Sequence, residues 1–304
     1  MAAALTEPPA LPHSGGPDVE DVVLEADGVP LSGLLARPRG TPRATVVAIH
    51  GGGMRAGYFH GLSHGGQSLL TLAAGLGFTA LALDRPGYGL SAGHLPDGAT
   101  LAEQSRLLHA ALAGFADTYD TGAGVFLMAH SYGGKLALHA AADERGTDLL
   151  GLDISGISHR YAVDLALVGD IHGLRTWPLH WGPLGLYPPG TFRAAKPLVT
   201  PMPGREAAEA RRWARDFPRL AGRVRVPVRF TFAEHEGWWH HDEETIASMR
   251  GLLSEAPRVV VDRQPRAGHN ISLGWAARSY HLRALAFVEE CVLDREMGNP
   301  PPRR

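Results

Sequence analysis

The chain has 304 residues, 44% hydrophobic and 20% charged, which supplies a large core and excludes a disordered polypeptide. Lysine and arginine number 29 against 31 acidic residues, a formal charge of −2, so there is no broad positive field to attract nucleic acid. No apolar run reaches the ~20 residues that span a bilayer, and the single cysteine, Cys291, excludes an intrachain disulfide.

Residues 1–18 are rich in alanine and proline without a basic stretch leading into an apolar one. They read as a loose tail rather than a secretion signal, and a cytoplasmic location is expected. Val19–Ala26 and Leu31–Arg37 are strand-like, separated by the turn Asp27-Gly28-Val29-Pro30. A repeating unit then begins: an apolar run, a glycine-rich corner, a helical stretch. Ala44–Ile49 leads to His50-Gly51-Gly52-Gly53, followed by a helix near Gln67–Leu76. Phe78–Leu83 leads to Asp84-Arg85-Pro86-Gly87. Leu101, Leu107, Leu108, Leu112 and Phe115 give Thr100–Phe115 an amphipathic spacing. Gly124–Ala129 leads to His130-Ser131-Tyr132-Gly133-Gly134 and a helix over Lys135–Asp143, and Leu149–Ser155 is a further apolar run.

Apolar runs without alternation, separated by helices, imply strands covered on both faces and hence a mainly parallel α/β sheet. The rhythm breaks at Gly156. Through Arg223 the chain is rich in Pro, Gly, Trp and Arg, which predicts an inserted lid over 156–223 with some helix, such as Arg205–Asp216. The rhythm resumes with the strand Val226–Phe232, a helix around Glu243–Leu253, the strand Arg258–Asp262 and the helix Trp275–Val292. The predicted organisation is one discontinuous core, 19–155 and 224–292, with a second tail over 296–304.

Ser131 stands where an apolar run turns sharply into a helix, with small residues (Ala129, Gly133) two positions away on either side. Such a corner exposes a serine hydroxyl near the positive end of the helix. The His50–Gly53 corner can aim backbone amides at a developing oxyanion, and those of Gly52 and Tyr132 are the expected donors, with Gly53 a further candidate. No Gly-Lys-Ser/Thr follows the glycines, which argues against a phosphate loop. His269, after the last strand, is the expected general base. Glu236, just past Val226–Phe232, is the expected acid, and Asp153 is the competing carboxylate.

These motifs resemble the α/β-hydrolase superfamily over about residues 20–292, where the nucleophile, acid and histidine follow in that chain order. That family usually has Asp where Glu236 stands. The resemblance implies a serine triad without choosing the substrate. The expected function is a serine hydrolase that cleaves a carboxylic ester or thioester of a small-molecule acyl substrate through an acyl-enzyme, needing no cofactor or metal. An acyltransferase or acyl-eliminating lyase in natural-product biosynthesis, on the same triad, is the alternative reading.

Other features have two readings. His235, His240, His241, Asp242, Glu243 and Glu244 crowd one segment but match no strong zinc spacing. Trp238 and Trp239 line a substrate cleft or belong to the core. Trp177, Trp181, Leu184, Leu186 and Tyr187 form an apolar binding wall or dock the lid. Arg211, Arg212, Arg215 and Arg219 form a solvated face or meet an anionic substrate or carrier protein. Cys291 is expected to be a small buried residue of the last helix.

Overall fold

The computed structural model describes residues 17–143, 147–168, 170 and 173–298. The expected tails over 1–18 and 296–304 lie outside these residues except for their inner ends. Eight strands form one sheet in the order β1-β2-β4-β3-β5-β6-β7-β8: β1 (Val19–Ala26), β2 (Val29–Ala36), β3 (Thr45–Ile49), β4 (Thr79–Leu83), β5 (Val125–His130), β6 (Leu149–Ser155), β7 (Val228–His235) and β8 (Val259–Gly268). β1 pairs antiparallel with β2, and β2 with β4; the other pairs are parallel.

β3, β4, β5 and β6 are buried along their whole length, as the unalternating apolar runs require. Successive side chains feed two cores. On one face Val47, Ile49, Leu127 and Ile154 pack with α2 (Leu101–Thr118), α3 (Tyr132–Ala141), α7 (Trp213–Ala221) and α8 (Glu243–Leu252). On the other, Val46, Ala48, Phe126 and Met128 pack with α1 (Leu69–Gly75) and α9 (Ala277–Glu296). A capping box starts α2: Thr100 Oγ1 accepts from the Glu103 N–H at 3.3 Å, and Glu103 Oε2 accepts from the Thr100 N–H at 2.8 Å.

Three boundaries differ instructively from the sequence reading. α3 begins at Tyr132, so Gly133 and Gly134 are helical rather than part of a turn. A Cβ on Gly133 would lie 2.3 Å from the Ile49 carbonyl oxygen; these glycines permit close helix–strand approach. β8 continues through Pro265 to Gly268, because an edge strand tolerates a residue that cannot donate to a ladder. The single helix expected over Arg205–Asp216 is two, α6 (Gly204–Ala210) and α7.

Residues 156–223 connect β6 to β7 and hold α4 (Trp177–Trp181), α5 (Thr191–Ala195), α6 and α7. This segment meets the loops at the carboxyl ends of the parallel strands. The Thr200 N–H donates to the Gly53 carbonyl at 2.9 Å, and the Asn270 N–H donates to the His180 carbonyl at 3.2 Å. Among the described residues no helix is long and apolar enough to cross a membrane. Cys291 is buried in α9, and burial pushes its thiol up to about 12.

Candidate active site

β3 and β5 are parallel neighbours with Ile49 opposite Ala129, so the glycine corner after β3 and the serine corner after β5 emerge side by side. Carboxyl-end crevices of this kind are where open α/β sheets bind ligands. Ser131 occupies the one residue between β5 and α3 with φ 51° and ψ −118°. A non-glycine residue in such a conformation costs of order 1–3 kcal/mol and persists only where its surroundings over-determine it. Here the Ser131 N–H donates to the Ser155 carbonyl at 2.8 Å, and the Ser131 carbonyl accepts from the Gly134 N–H at 2.9 Å.

His269 directly follows β8, and its Nε2 lies 3.1 Å from Ser131 Oγ. Its Nδ1 lies 2.7 Å from Glu236 Oε2. The second carboxylate oxygen of Glu236 accepts from the Trp238 N–H at 2.9 Å, which fixes the carboxylate plane. Both side chains are almost completely removed from solvent. Gly156, with φ +68°, makes room for the imidazole: a Cβ there would sit 2.9 Å from His269 Cε1. A histidine held between a hydroxyl and a carboxylate has a defined tautomer, with Nδ1–H toward the carboxylate and Nε2 free to accept the hydroxyl proton.

Asp153 does not join this group. The β6–β7 register sets it opposite Arg229. Its carboxylate accepts from the Arg229 guanidinium and, at 2.8 Å, from the Tyr280 hydroxyl. The competing carboxylate is occupied in a buried ion pair.

The glycine loop is held from beneath. Arg85 Nε donates to the His50 carbonyl at 2.8 Å, and Nη2 donates to the Gly51 carbonyl at 3.2 Å. The Arg85 N–H donates to His50 Nε2 at 3.0 Å, and His50 Nδ1–H donates to the Gly51 carbonyl at 2.8 Å. Burial, aided by Arg85, lowers the His50 pKa to about 3, so the ring is neutral. Arg85 is itself buried and pairs with Glu206 of α6 at 2.5 and 3.1 Å. Tyr88 donates to the same carboxylate at 2.8 Å and accepts from the Gly53 N–H at 3.0 Å. The Gly53 amide is therefore engaged. The Gly52 N–H meets no protein acceptor among the described residues, and Tyr132, first residue of α3, has no helical carbonyl to bond.

Two cavities flank Ser131. One, of about 50 Å³, is bordered by Gly51–Met54, His180, Trp181, Val199 and Asn270. The other, of about 60 Å³, is bordered by Tyr132, Lys135, Tyr161, Met202, Trp238 and Trp239. Ser131, Gly52 and His269 border both. Met202 lies over Gly52, 3.2 Å from where its Cβ would be. A wider open groove of about 700 Å³, with Arg37, Pro42, Thr79 and Tyr119, lies at the opposite end of the sheet, away from the serine.

Sequence reasoning did not single out His130, His180, Arg85, Glu206 or Lys135. His130 stacks on Tyr58 with ring centroids 4.7 Å apart and lies 4.8 Å from the His269 ring. Burial, then the neighbouring His269, lowers its pKa well below the usual value. It is a neutral wall beside the imidazole. Its position directly before Ser131 was the one signal available. The partners of Arg85 and Lys135 are far apart in sequence and left none.

The remaining motifs disperse. His241 stacks on Phe232, and Asp242 caps α8, accepting from the Thr245 N–H at 2.9 Å. Among the described residues no group of three or more His, Cys, Asp or Glu side chains is placed to hold a metal ion. Of the five apolar residues considered for a binding wall, Trp181 borders a cavity; Tyr187 packs against it, while Trp177 and Leu184 are exposed. Arg212 and Arg215 face the solvent beside Glu209 and Asp216.

The model of the alpha/beta hydrolase family matches residues 46–290. No curated protein sequence matches the chain. Among solved structures, a thermostable carboxyl esterase from Bacillus coagulans is 18% identical with a TM-score of 0.66, covering 90% of this chain and 99% of its own. Carboxylesterase CesB from Bacillus subtilis is 14% identical with a TM-score of 0.59, covering 89% and 92%. A putative epoxide hydrolase mutant from Pseudomonas aeruginosa is 14% identical with a TM-score of 0.64, covering 94% and 100%. At these identities the likeness is one of fold. Together with the family match over most of its length, it establishes that the chain belongs to the alpha/beta hydrolase family.

Proposed function

We propose that the chain is a serine hydrolase that cleaves a carboxylic ester or thioester through an acyl-enzyme. One observation carries the reading: the continuous path from Ser131 Oγ through both nitrogens of His269 to the buried Glu236 carboxylate. Ser131 Oγ bonds to the substrate carbonyl carbon while its proton passes to His269 Nε2. The oxyanion accepts hydrogen bonds from the Gly52 and Tyr132 amides. Collapse expels the alcohol or thiol, which takes the proton from His269. A water then repeats the sequence, releasing the acid and restoring the hydroxyl. Glu236 stabilises the imidazolium formed in each half. The segment 156–223 acts as a lid, since Trp181 and Met202 border the cavities on either side of the serine.

Labelling with a fluorophosphonate tests this. Modification should map to Ser131 and disappear in Ser131→Ala, together with ester turnover. Full turnover by that variant would refute the reading. Turnover in ¹⁸O-water separates hydrolysis, which places one solvent oxygen in the released acid, from acyl transfer or elimination.

A further inference from the structure

Lys135 lies one helical turn beyond Ser131, on the face of α3 that borders the cavity of about 60 Å³. Its side chain is buried, and its ammonium sits 5.2–5.4 Å from the ring centroids of Tyr132, Tyr161, Trp213 and Trp239. Aromatic faces attract a cation but offer no lone pair to an N–H. Of the three ammonium donors, one has an acceptor, the Tyr161 hydroxyl at 2.7 Å. That hydroxyl in turn donates to the Ala210 carbonyl at 2.8 Å. Among the described residues Lys135 forms no ion pair; Glu206 and Glu209 act on it only at longer range.

A second donor in the same place lacks a partner. Trp238 borders this cavity, and its indole N–H is buried with no acceptor. Buried donors are ordinarily satisfied, and one that is not calls for an explanation. A buried amine with a single acceptor and no ion pair calls for one as well. Both belong to residues lining a space that also reaches Ser131, Gly52 and His269.

We infer that this cavity is a carboxylate-binding subsite, in which Lys135 and the Trp238 indole receive a free carboxylate carried by the ester or thioester substrate. The inference rests on the Ser131 reading and narrows it to anionic substrates. Burial also lowers the Lys135 pKa to about 7, and an arriving carboxylate would hold the proton on the amine.

The test compares kcat/KM for monoethyl esters of succinate, glutarate and adipate with that for the same esters capped as neutral methylamides. A second arm places the carboxylate on the leaving group, using acetate esters of 3-hydroxypropanoate and 4-hydroxybutanoate with their methylamide counterparts. In at least one arm the carboxylate should be preferred by about ten- to a hundredfold, the range of a buried charged hydrogen bond. Lys135→Met should bring that ratio close to one, and Lys135→Arg should retain part of it. Protection of wild-type Ser131 from fluorophosphonate by free glutarate, but not by its neutral diamide, gives a readout independent of variant folding. No carboxylate preference in either arm, together with no protection, overturns the subsite while labelling of Ser131 stands. Loss of that labelling would instead refute the serine reading itself.

Discussion

At position 236 the side chain must accept from the imidazole and from the Trp238 N–H at once, and a carboxylate does this with two equivalent oxygens. Glu236→Gln preserves the shape, but an amide offers a single carbonyl oxygen for those two roles and cannot balance an imidazolium. We expect kcat to fall by roughly 10²–10⁴-fold with little change in the unfolding midpoint, measured by steady-state kinetics and urea denaturation. Asp153→Asn should behave oppositely, because it removes one of the two carboxylates, Asp153 and Asp262, that meet the buried Arg229. Stability should drop by about 1–3 kcal/mol while kcat/KM of the folded fraction holds. The order serine, acid, histidine was legible along the chain. The choice between the two carboxylates was not, because both follow apolar strands. Only the β6–β7 register, which sets Asp153 opposite Arg229, distinguishes them.

Among the elements, α6 carries an effect far from its own place in the chain. Glu206 neutralises Arg85, and Arg85 grips the His50 and Gly51 carbonyls. Glu206→Ala should therefore lower stability by about 3–5 kcal/mol, the range for breaking a buried pair from one side. Fluorophosphonate labelling of the folded fraction should also slow, since the loop bearing the Gly52 amide loses its anchor. Normal labelling kinetics in a folded Glu206→Ala protein would show that the pair matters to folding alone. Most core strands and helices were legible from apolar periodicity to within a few residues, whereas the end of β8 and the short helices of residues 156–223 were not. The residues joining them across the sheet ends were not. Arg85 and Glu206 are 121 positions apart, and each reads in isolation as a surface charge. Gly133 and Gly134 misled for a related reason: their role is set by the Ile49 carbonyl packed against the first and the Ile154 side chain packed against the second, which no local pattern reveals.

For the whole molecule, buried histidines set the acid limit. His50 and His281 are enclosed, and burial lowers both to about 3 from an ordinary 6.5. Between those values the unfolded chain binds protons that the native state refuses, so stability present above pH 6.5 is lost progressively as the pH falls toward 3. Each such histidine contributes a slope of up to about 1.4 kcal/mol per pH unit in that window. In His281→Leu, the dependence of the urea midpoint on pH should flatten by one proton's worth; an unchanged slope would assign the acid limit elsewhere.

Among the described residues β8 is an edge strand, paired with β7 alone, and His269 directly follows its last residue, Gly268. The serine corner, by contrast, rises from β5 in the middle of the sheet. Detachment of that one edge would withdraw the imidazole and leave the hydroxyl in place, an opening that needs far less than global unfolding. Heat should thus silence the protein in two stages. Turnover should fade reversibly at temperatures where tryptophan fluorescence still reports a native core, and amide exchange should be faster in β8 than in β5. Working temperature would then be governed by the rim of the sheet rather than by its centre.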